Sequence, residues 1–263
     1  MERPLAVWAL IVAAVLPMSV MAQEPIWDGY YLGASLGARF ASNNWVTSGA
    51  CPNVAICSGG IPGPDFQQTF NSTGARIAAF GGRNWRLGSG WLAGLEAEIG
   101  WADNRNTNGP IPGTTLSGGI VPSVTNGDTA SVNLSWDASV RARVGALVQP
   151  NTLLFATAGL ALQRVDMTAT CNNDGATTYC TSPPGAPHYE VQSLILPGWT
   201  VGAGLEHLLA PNWLVRLEYR YADFGQANPT FFTYNFGNGG DDRVYAHVYV
   251  RTHTASLGVA YKF

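Results

Sequence analysis

Glu96 and Glu98 stand two residues apart in the segment Trp91-Leu92-Ala93-Gly94-Leu95-Glu96-Ala97-Glu98-Ile99-Gly100-Trp101. On a strand such a pair shares one face at a separation of about 7 Å. Two carboxylates at that distance suggest the acid and base of a glycosidase. His188 beside Tyr189, and Tyr245, His247 and Tyr249 further on, are residue types that ligate haem iron. His253 and Ser256 are a base and a nucleophile. They fall on opposite faces of a strand, so they cannot work as the hydrogen-bonded pair that nucleophilic catalysis needs.

Four cysteines form two close pairs, Cys51 with Cys57 and Cys171 with Cys180. Four cysteines allow three connectivities. No histidine lies close to either pair, which argues against a metal site of converging ligands. Each pair sits in its own Gly-, Pro-, Asn- or Thr-rich stretch, so local disulfides are expected. Each would stabilise by roughly 2–3 kcal/mol in the chain-entropy model.

The remaining charges give the carboxylates a different context. Arg39, Arg76, Arg141, Arg143, Arg216 and Arg220 alternate with small or apolar residues, as do Asp137, Glu206 and Glu218. In Ser139-Val140-Arg141-Ala142-Arg143-Val144 every second residue is charged or small, in Trp213-Leu214-Val215-Arg216-Leu217-Glu218-Tyr219-Arg220-Tyr221 every second residue from Arg216 on is charged, and the neighbours are Val, Ala, Leu, Trp or Tyr. This is the two-residue period of strands with two unlike faces. Eight such strands are predicted, at about 29–40, 73–85, 91–101, 131–147, 153–165, 194–207, 213–224 and 245–263. Pro197 inside the sixth marks a bulge or the strand's true beginning. Leu134 and Trp136 are expected on one face of the fourth.

Connections alternate in length. Short ones fall near 86–90, 148–152 and 208–212. Long ones fall near 41–72, 102–130, 166–191 and 225–243, rich in turn residues. Three short turns and four long loops are the count of an eight-stranded up-and-down barrel.

Charge placement chooses between two kinds of barrel. An arginine facing lipid at mid-membrane costs about 2–4 kcal/mol. Turned inward, the six arginines can pair with Glu96, Glu98, Asp137, Glu206 and Glu218. The apolar faces then meet hydrocarbon, with Trp91 and Trp101 at the two interfaces of one strand. A soluble barrel inverts this pattern. Only 12% of residues are charged and Lys262 is the sole lysine, against about a quarter charged in typical soluble domains. The net charge of −3 gives no reason to expect a nucleic-acid partner.

The amino terminus reads as an export signal. Arg3 precedes an uncharged apolar run from Leu5 to Leu16, and Val20-Met21-Ala22 ends with a small residue. That run is shorter than the roughly 20 residues of a membrane helix. Cleavage is expected after Ala22, leaving 23–263 as one barrel domain. At the other end Leu257, Val259, Tyr261 and Phe263 share one face and finish on a terminal aromatic. Taken alone this is an ordinary amphipathic strand or the last strand of an outer-membrane barrel.

Six blocks, Trp27-Asp28-Gly29-Tyr30-Tyr31-Leu32-Gly33, Ser139-Val140-Arg141-Ala142-Arg143-Val144-Gly145, Leu153-Leu154-Phe155-Ala156-Thr157-Ala158-Gly159-Leu160-Ala161, Gly198-Trp199-Thr200-Val201-Gly202-Ala203-Gly204-Leu205-Glu206, Asn212-Trp213-Leu214-Val215-Arg216-Leu217-Glu218-Tyr219-Arg220-Tyr221 and Gly258-Val259-Ala260-Tyr261-Lys262-Phe263, resemble the small outer-membrane β-barrel proteins of alphaproteobacteria. These are often called porin-family or outer-membrane immunogenic proteins. The resemblance implies an all-β, eight-stranded antiparallel up-and-down transmembrane barrel with four long extracellular loops and short periplasmic turns, in the outer membrane of a Gram-negative cell. It implies that Leu257, Val259, Tyr261 and Phe263 are the signal read by the barrel-assembly machinery. Lipopolysaccharide and outer-membrane lipids are its surroundings, and a host or small-solute ligand would bind at loops. It implies no enzyme chemistry and no cofactor. The long cysteine-bearing loops depart from the family. Four functions remain in view: a structural surface barrel with a charge-filled lumen, a narrow pore, a loop receptor for haem or a host ligand, and a lipid-modifying enzyme.

Overall fold

The computed structural model describes residues 27–50, 67–88, 90–108, 111–112, 129–171, 188–232 and 244–263. The expected signal segment and Cys51, Cys57 and Cys180 lie outside these, and Cys171 is described only as the last residue of its strand.

Eight long strands form the wall: β1 (Gly29–Ala50), β2 (Gln67–Arg86), β3 (Trp91–Asn104), β5 (Thr129–Gln149), β6 (Thr152–Cys171), β7 (His188–Ala210), β8 (Trp213–Ala227) and β10 (Val244–Lys262). Two-residue strands β4 (Thr107–Asn108) and β9 (Thr230–Phe231) add to β5 and β10. Each long strand pairs antiparallel with the next, and β10 returns to β1 through a ladder from Tyr31↔Lys262 to Ala50↔Val244. The sheet therefore closes and leaves no edge strand in its lower part. Consecutive turns are stitched together at one end: Leu147 N–H donates to Gly90 O at 2.8 Å, Leu208 N–H to Asn151 O at 2.9 Å and Lys262 N–H to Asn212 O at 2.7 Å. Gly88, in the first of these turns, has φ +77°, which favours glycine.

Alternation decides what each face meets. Leu32, Leu36, Ile77, Leu95, Ile99, Val140, Leu160, Leu205 and Leu217 point outward and are exposed, while Arg39, Arg76, Glu96, Arg141, Glu206 and Arg216 on the same set of strands are buried inside. Aromatic side chains bound the apolar band: Trp85, Trp91, Trp213 and Tyr261 towards the turns, and Phe40, Trp101, Trp199 and Tyr219 towards the loops. Trp91 and Trp101 are ten residues apart on β3. At about 3.3 Å per residue and a tilt near 40° the band is roughly 25 Å tall, the height of a membrane's apolar layer.

The strands run well past this band, further than the alternation of charge suggested. β1 continues from Phe40 to Ala50, β2 begins at Gln67, β6 reaches Cys171 and β7 begins at His188. The same alternation continues there with its chemistry inverted. Ala41, Trp45, Phe70, Val132, Val165, Met167, Val248 and Val250 face inward as one buried cluster. Ser42, Thr69, Asn71 and Thr168 face outward. Read without the ring, these Asn-, Ser- and Thr-rich stretches look like loops. In the ring they are the outer wall of a second, water-facing core.

Two local expectations change. Leu134 is buried, not outward beside Trp136, because the β5 register slips between Leu134 and Asp137 against β6. One extra residue in a strand transfers everything beyond it to the other face. Pro197 is neither the strand's beginning nor at a register shift. It lies within β7, before the first β7–β8 pair at Trp199↔Asp223, where β7 has a ladder on its β6 side only. A missing N–H is tolerated at such an edge.

Leu95→Arg is expected to block refolding into vesicles, at a cost of about 2–4 kcal/mol. Asn71→Arg, on the same outer face but above the band, should refold like the parent. The heat-modifiable shift on gels reads both, and equal behaviour of the two variants would contradict the position of the band.

Candidate functional site: a charged belt inside the barrel

The eleven charged residues expected on the inner face converge from β1, β2, β3, β5, β7 and β8 into one belt across the lumen. At its turn end, Arg216 meets Glu206 at 2.5 Å and Glu96 at 2.7 Å, and Arg143 meets Glu206 at 2.9 Å. Tyr31 links the same groups: its hydroxyl donates to Glu96 at 2.7 Å and accepts from Arg143 at 2.8 Å. In the middle Arg141 donates to Glu96 at 2.5 Å, to Glu98 at 3.1 Å and to Glu218. At the loop end Asp137 receives Arg39, Arg76 and Arg220 at 3.0, 2.6 and 3.3 Å. Arg76 and Arg220 also reach Glu98, at 2.6 and 2.7 Å.

Arg39 ties this belt to the irregular part of the wall. Its Nη2 donates to the carbonyls of Ala102, Leu134 and Ser135 at 3.1, 2.9 and 2.8 Å, and its Nε to Asn104 at 2.7 Å. Gln163 donates to Trp136 O at 3.0 Å. The carbonyls that the β5 slip takes out of the regular ladder are thus taken up by inward side chains, as buried backbone acceptors require.

The small inner residues make room for the long ones. A Cβ on Gly100 would stand 2.1 Å from the Arg76 guanidinium, and one on Gly94 would stand 2.8 Å from Arg143. Gly33 and Gly204 lie against the rings of Phe80 and Phe155 in the same way. These are the positions at which a water-filled channel would need its space.

Apolar layers cover the belt on both sides. Towards the turns lie Trp27, Phe80, Leu92, Leu153, Phe155 and Leu214. Arg216 sits 4.1 Å over Phe80 and Arg143 4.6 Å over Phe155. Trp27 closes this end, its indole donating to Pro150 O at 2.9 Å. Lys262 points in beside it, 5.5 Å above its ring. Towards the loops Trp45 stacks on Phe231 at 5.3 Å and 12°, with Phe70 at 6.0 Å.

The other chemical readings find less support in the geometry. Carboxylate oxygens of Glu96, Glu98 and Glu218 lie within 4.8 Å of one another, but Arg141 donates to all three and fills the place of a cation. Glu96 and Glu98 are both buried in ion pairs, so neither is set to serve as acid or base to a substrate. His247 is held by Asn228 and Gln226 at 2.6 and 2.8 Å, and His253 by the Tyr219 hydroxyl at 2.6 Å, both on the outer surface. The sequence alone gives no interior role to Asn104, Trp27 or Lys262. Lys262 was findable, since it follows Gly258 and Ala260 on the inward parity of β10.

Comparison with known proteins places this architecture. A family model described as outer membrane protein beta-barrel domain matches residues 8–263. The 31 kDa outer-membrane immunogenic protein of Brucella melitensis biotype 1 is 26% identical over 183 residues, covering 69% of this chain and 63% of the Brucella protein. The matched part is thus less than two thirds of that relative's length. The 22 kDa outer membrane protein of Rhizobium leguminosarum bv. viciae is 26% identical over 237 residues, covering 90% of this chain and 78% of the relative. Among solved structures, OprG of Pseudomonas aeruginosa aligns over 90% of this chain and 97% of its own, at 12% identity and a TM-score of 0.49. The model match over nearly the whole chain makes this protein a member of the outer membrane β-barrel family, located in the outer membrane.

Proposed function

We propose that the protein is a sealed structural barrel of the outer membrane that displays its loops at the cell surface, and that it is neither a pore nor an enzyme. The observation that carries this reading is the stacking inside the lumen. A belt of eleven paired charges lies between two apolar layers, Trp27 with Phe80 and Phe155 below, and Trp45 with Phe70 and Phe231 above. An eight-stranded lumen is just wide enough for side chains to fill. Ions crossing it would have to break buried ion pairs whose partners then stand unpaired in a medium of low dielectric.

The outer extension supports the display role. β1 runs ten residues beyond Phe40, which lifts the loop bases roughly 25 Å above the band by the same strand arithmetic. The name immunogenic, given to the Brucella relative, fits a surface-exposed protein. A host or small-solute ligand, if bound, would meet the loops. On the same reading Leu257, Val259, Tyr261 and Phe263 are the assembly signal. All four face outward on one side of the last strand and are exposed, Phe263 at 73%.

Single-channel recording of refolded 23–263 in a planar bilayer is expected to be silent when the heat-modifiable shift shows a folded barrel. A steady, reproducible conductance would replace this reading with a pore. Asp137→Asn leaves Arg39, Arg76 and Arg220 short of their shared acid, and should cost about 3–5 kcal/mol in urea unfolding. Combining it with Arg220→Gln should recover part of that loss; no recovery would mean that the belt is not energetically coupled. Deleting Phe263 should lower surface levels in cells while the purified variant still refolds in detergent, and normal surface levels would remove the terminal residues from assembly.

A further inference from the structure

The turn end of the barrel is closed by a residue that belongs to no strand. Trp27 precedes β1, yet it is 1% exposed. Its indole donates to Pro150 O at 2.9 Å. Pro150 lies in the turn between β5 and β6, and β6 is four strands from β1 in either direction around the ring. Trp27 therefore spans the mouth to the opposite wall. It shares one buried cluster with Phe80, Leu92, Leu153, Phe155 and Leu214. The chain turns inward to it at Gly29, whose φ of +112° favours glycine. Against the Trp27 ring lies Lys262, the sole lysine of the chain. Lys262 is 3% exposed, and its Nζ lies 5.5 Å from the ring centre. That Nζ is buried and has no hydrogen-bond partner among the described residues.

The two residues pull in opposite directions. Closure buries the Trp27 ring and satisfies its N–H, and the ring face attracts the ammonium. Closure also strips water from an ammonium that gains no acceptor in return, a costly burial. Little else holds Trp27. Asn84 reaches its carbonyl at 3.4 Å, and neither β1 ladder includes it. We propose that Trp27 is a lid over Lys262, hinged at Gly29, which opens a shallow vestibule to the periplasm while the strands stay paired. Opening returns the ammonium to water, which offsets the loss of ring burial. The charged belt and the rings of Phe80 and Phe155 stay in place behind the lid, so opening makes no path through the lumen. The lid is thus independent of the sealed-barrel reading, and a conducting barrel would leave it untouched.

A single lysine makes the test direct. Barrels purified from outer membranes in mild detergent are treated with a sulfonated N-hydroxysuccinimide ester of acetic acid, which acetylates amines in contact with water. The folded gel band is then digested, and acetyl on Lys262 is read by mass spectrometry in the peptide that follows Arg251. A lid open for about 0.1–10% of the time, the range of a minor state, slows acetylation about ten- to a thousandfold against the urea-unfolded chain. The reaction should still run within the folded band. Trp27→Ala should raise the rate by about tenfold or more over the parent. Gly29→Ala keeps the indole but strains the hinge, and should also raise the rate; it decides the matter where Trp27→Ala does not fold. Acetylation of the folded parent at the unfolded rate overturns the proposal, as does acetyl confined to molecules that have lost the folded gel shift. An unchanged rate in either folded variant overturns it too.

Discussion

Asp137 is the point on which the interior depends. Three guanidinium groups, from β1, β2 and β8, reach its two oxygens. Three walls of the barrel are therefore tied to a fourth by one side chain. Such a centre is stabilising only when every donor around it is used, because a buried charge without a partner costs more than the pair returns. Arg76 and Arg220 also donate to Glu98, and Arg39 donates to Gln163, Asn104 and three backbone carbonyls. Arg39 thus couples the charged belt to the register slip in β5. That slip is what transfers Leu134 from the outer face to the inner core.

Above that point the barrel changes its solvent. In the band the outer face is Leu, Ile, Val and Trp, and the inner face is Arg and Glu. Beyond the band the outer face of β1 and β2 is mainly Ser, Asn and Thr, with Tyr189 and Val191 exposed on β7, and the inner face is mainly Trp, Phe, Val and Met. Both halves obey one rule, that charge is paired or wet and apolar surface is buried or in lipid. They differ only in which side is wet. The membrane half is held by its ion pairs and by closure of the ladder. The outer half is held by apolar burial, as in a soluble barrel. Two cores of unlike chemistry in a single continuous sheet make a stiff support for the loops, because bending either half strains ladders that run through both.

Most of the membrane half was legible in the sequence. Alternation placed all eleven belt residues on the inner face, and the cost of arginine in hydrocarbon fixed that face as the inside. The belt's pairing was not legible, since it depends on which strands face each other across the lumen. The outer half was missed for a physical reason. Residues such as Ala41-Ser42-Asn43-Asn44-Trp45 have strand periodicity, but with low β-propensity and the opposite polarity, and they read as loop until Trp45 is seen against Phe70 and Phe231. The slip at Leu134 leaves no local signature either, because Leu and Trp at positions two apart are the normal mark of one outward face.

The belt holds six arginines and five carboxylates, and the mismatch does not call for a missing anion. Five of the arginines can be assigned to acids by proximity: Arg216 and Arg143 to Glu206 and Glu96, Arg141 to Glu218, and Arg76 and Arg220 to Glu98 and Asp137. Arg39 shares Asp137, but most of its acceptors are neutral: an amide oxygen from Asn104, another from Gln163, and the carbonyls of Ala102, Leu134 and Ser135. Aligned carbonyl dipoles at 2.8–3.1 Å stabilise a cation without adding a formal charge. Two amide side chains complete the shell, so all five N–H groups can find an oxygen. The irregular backbone thus supplies what a sixth acid would. A straight β5, with its carbonyls committed to neighbouring strands, would take the Leu134 and Ser135 oxygens away from Arg39 in a dry interior. The slip and the extra arginine are therefore one feature, each satisfying the polar groups that the other leaves open.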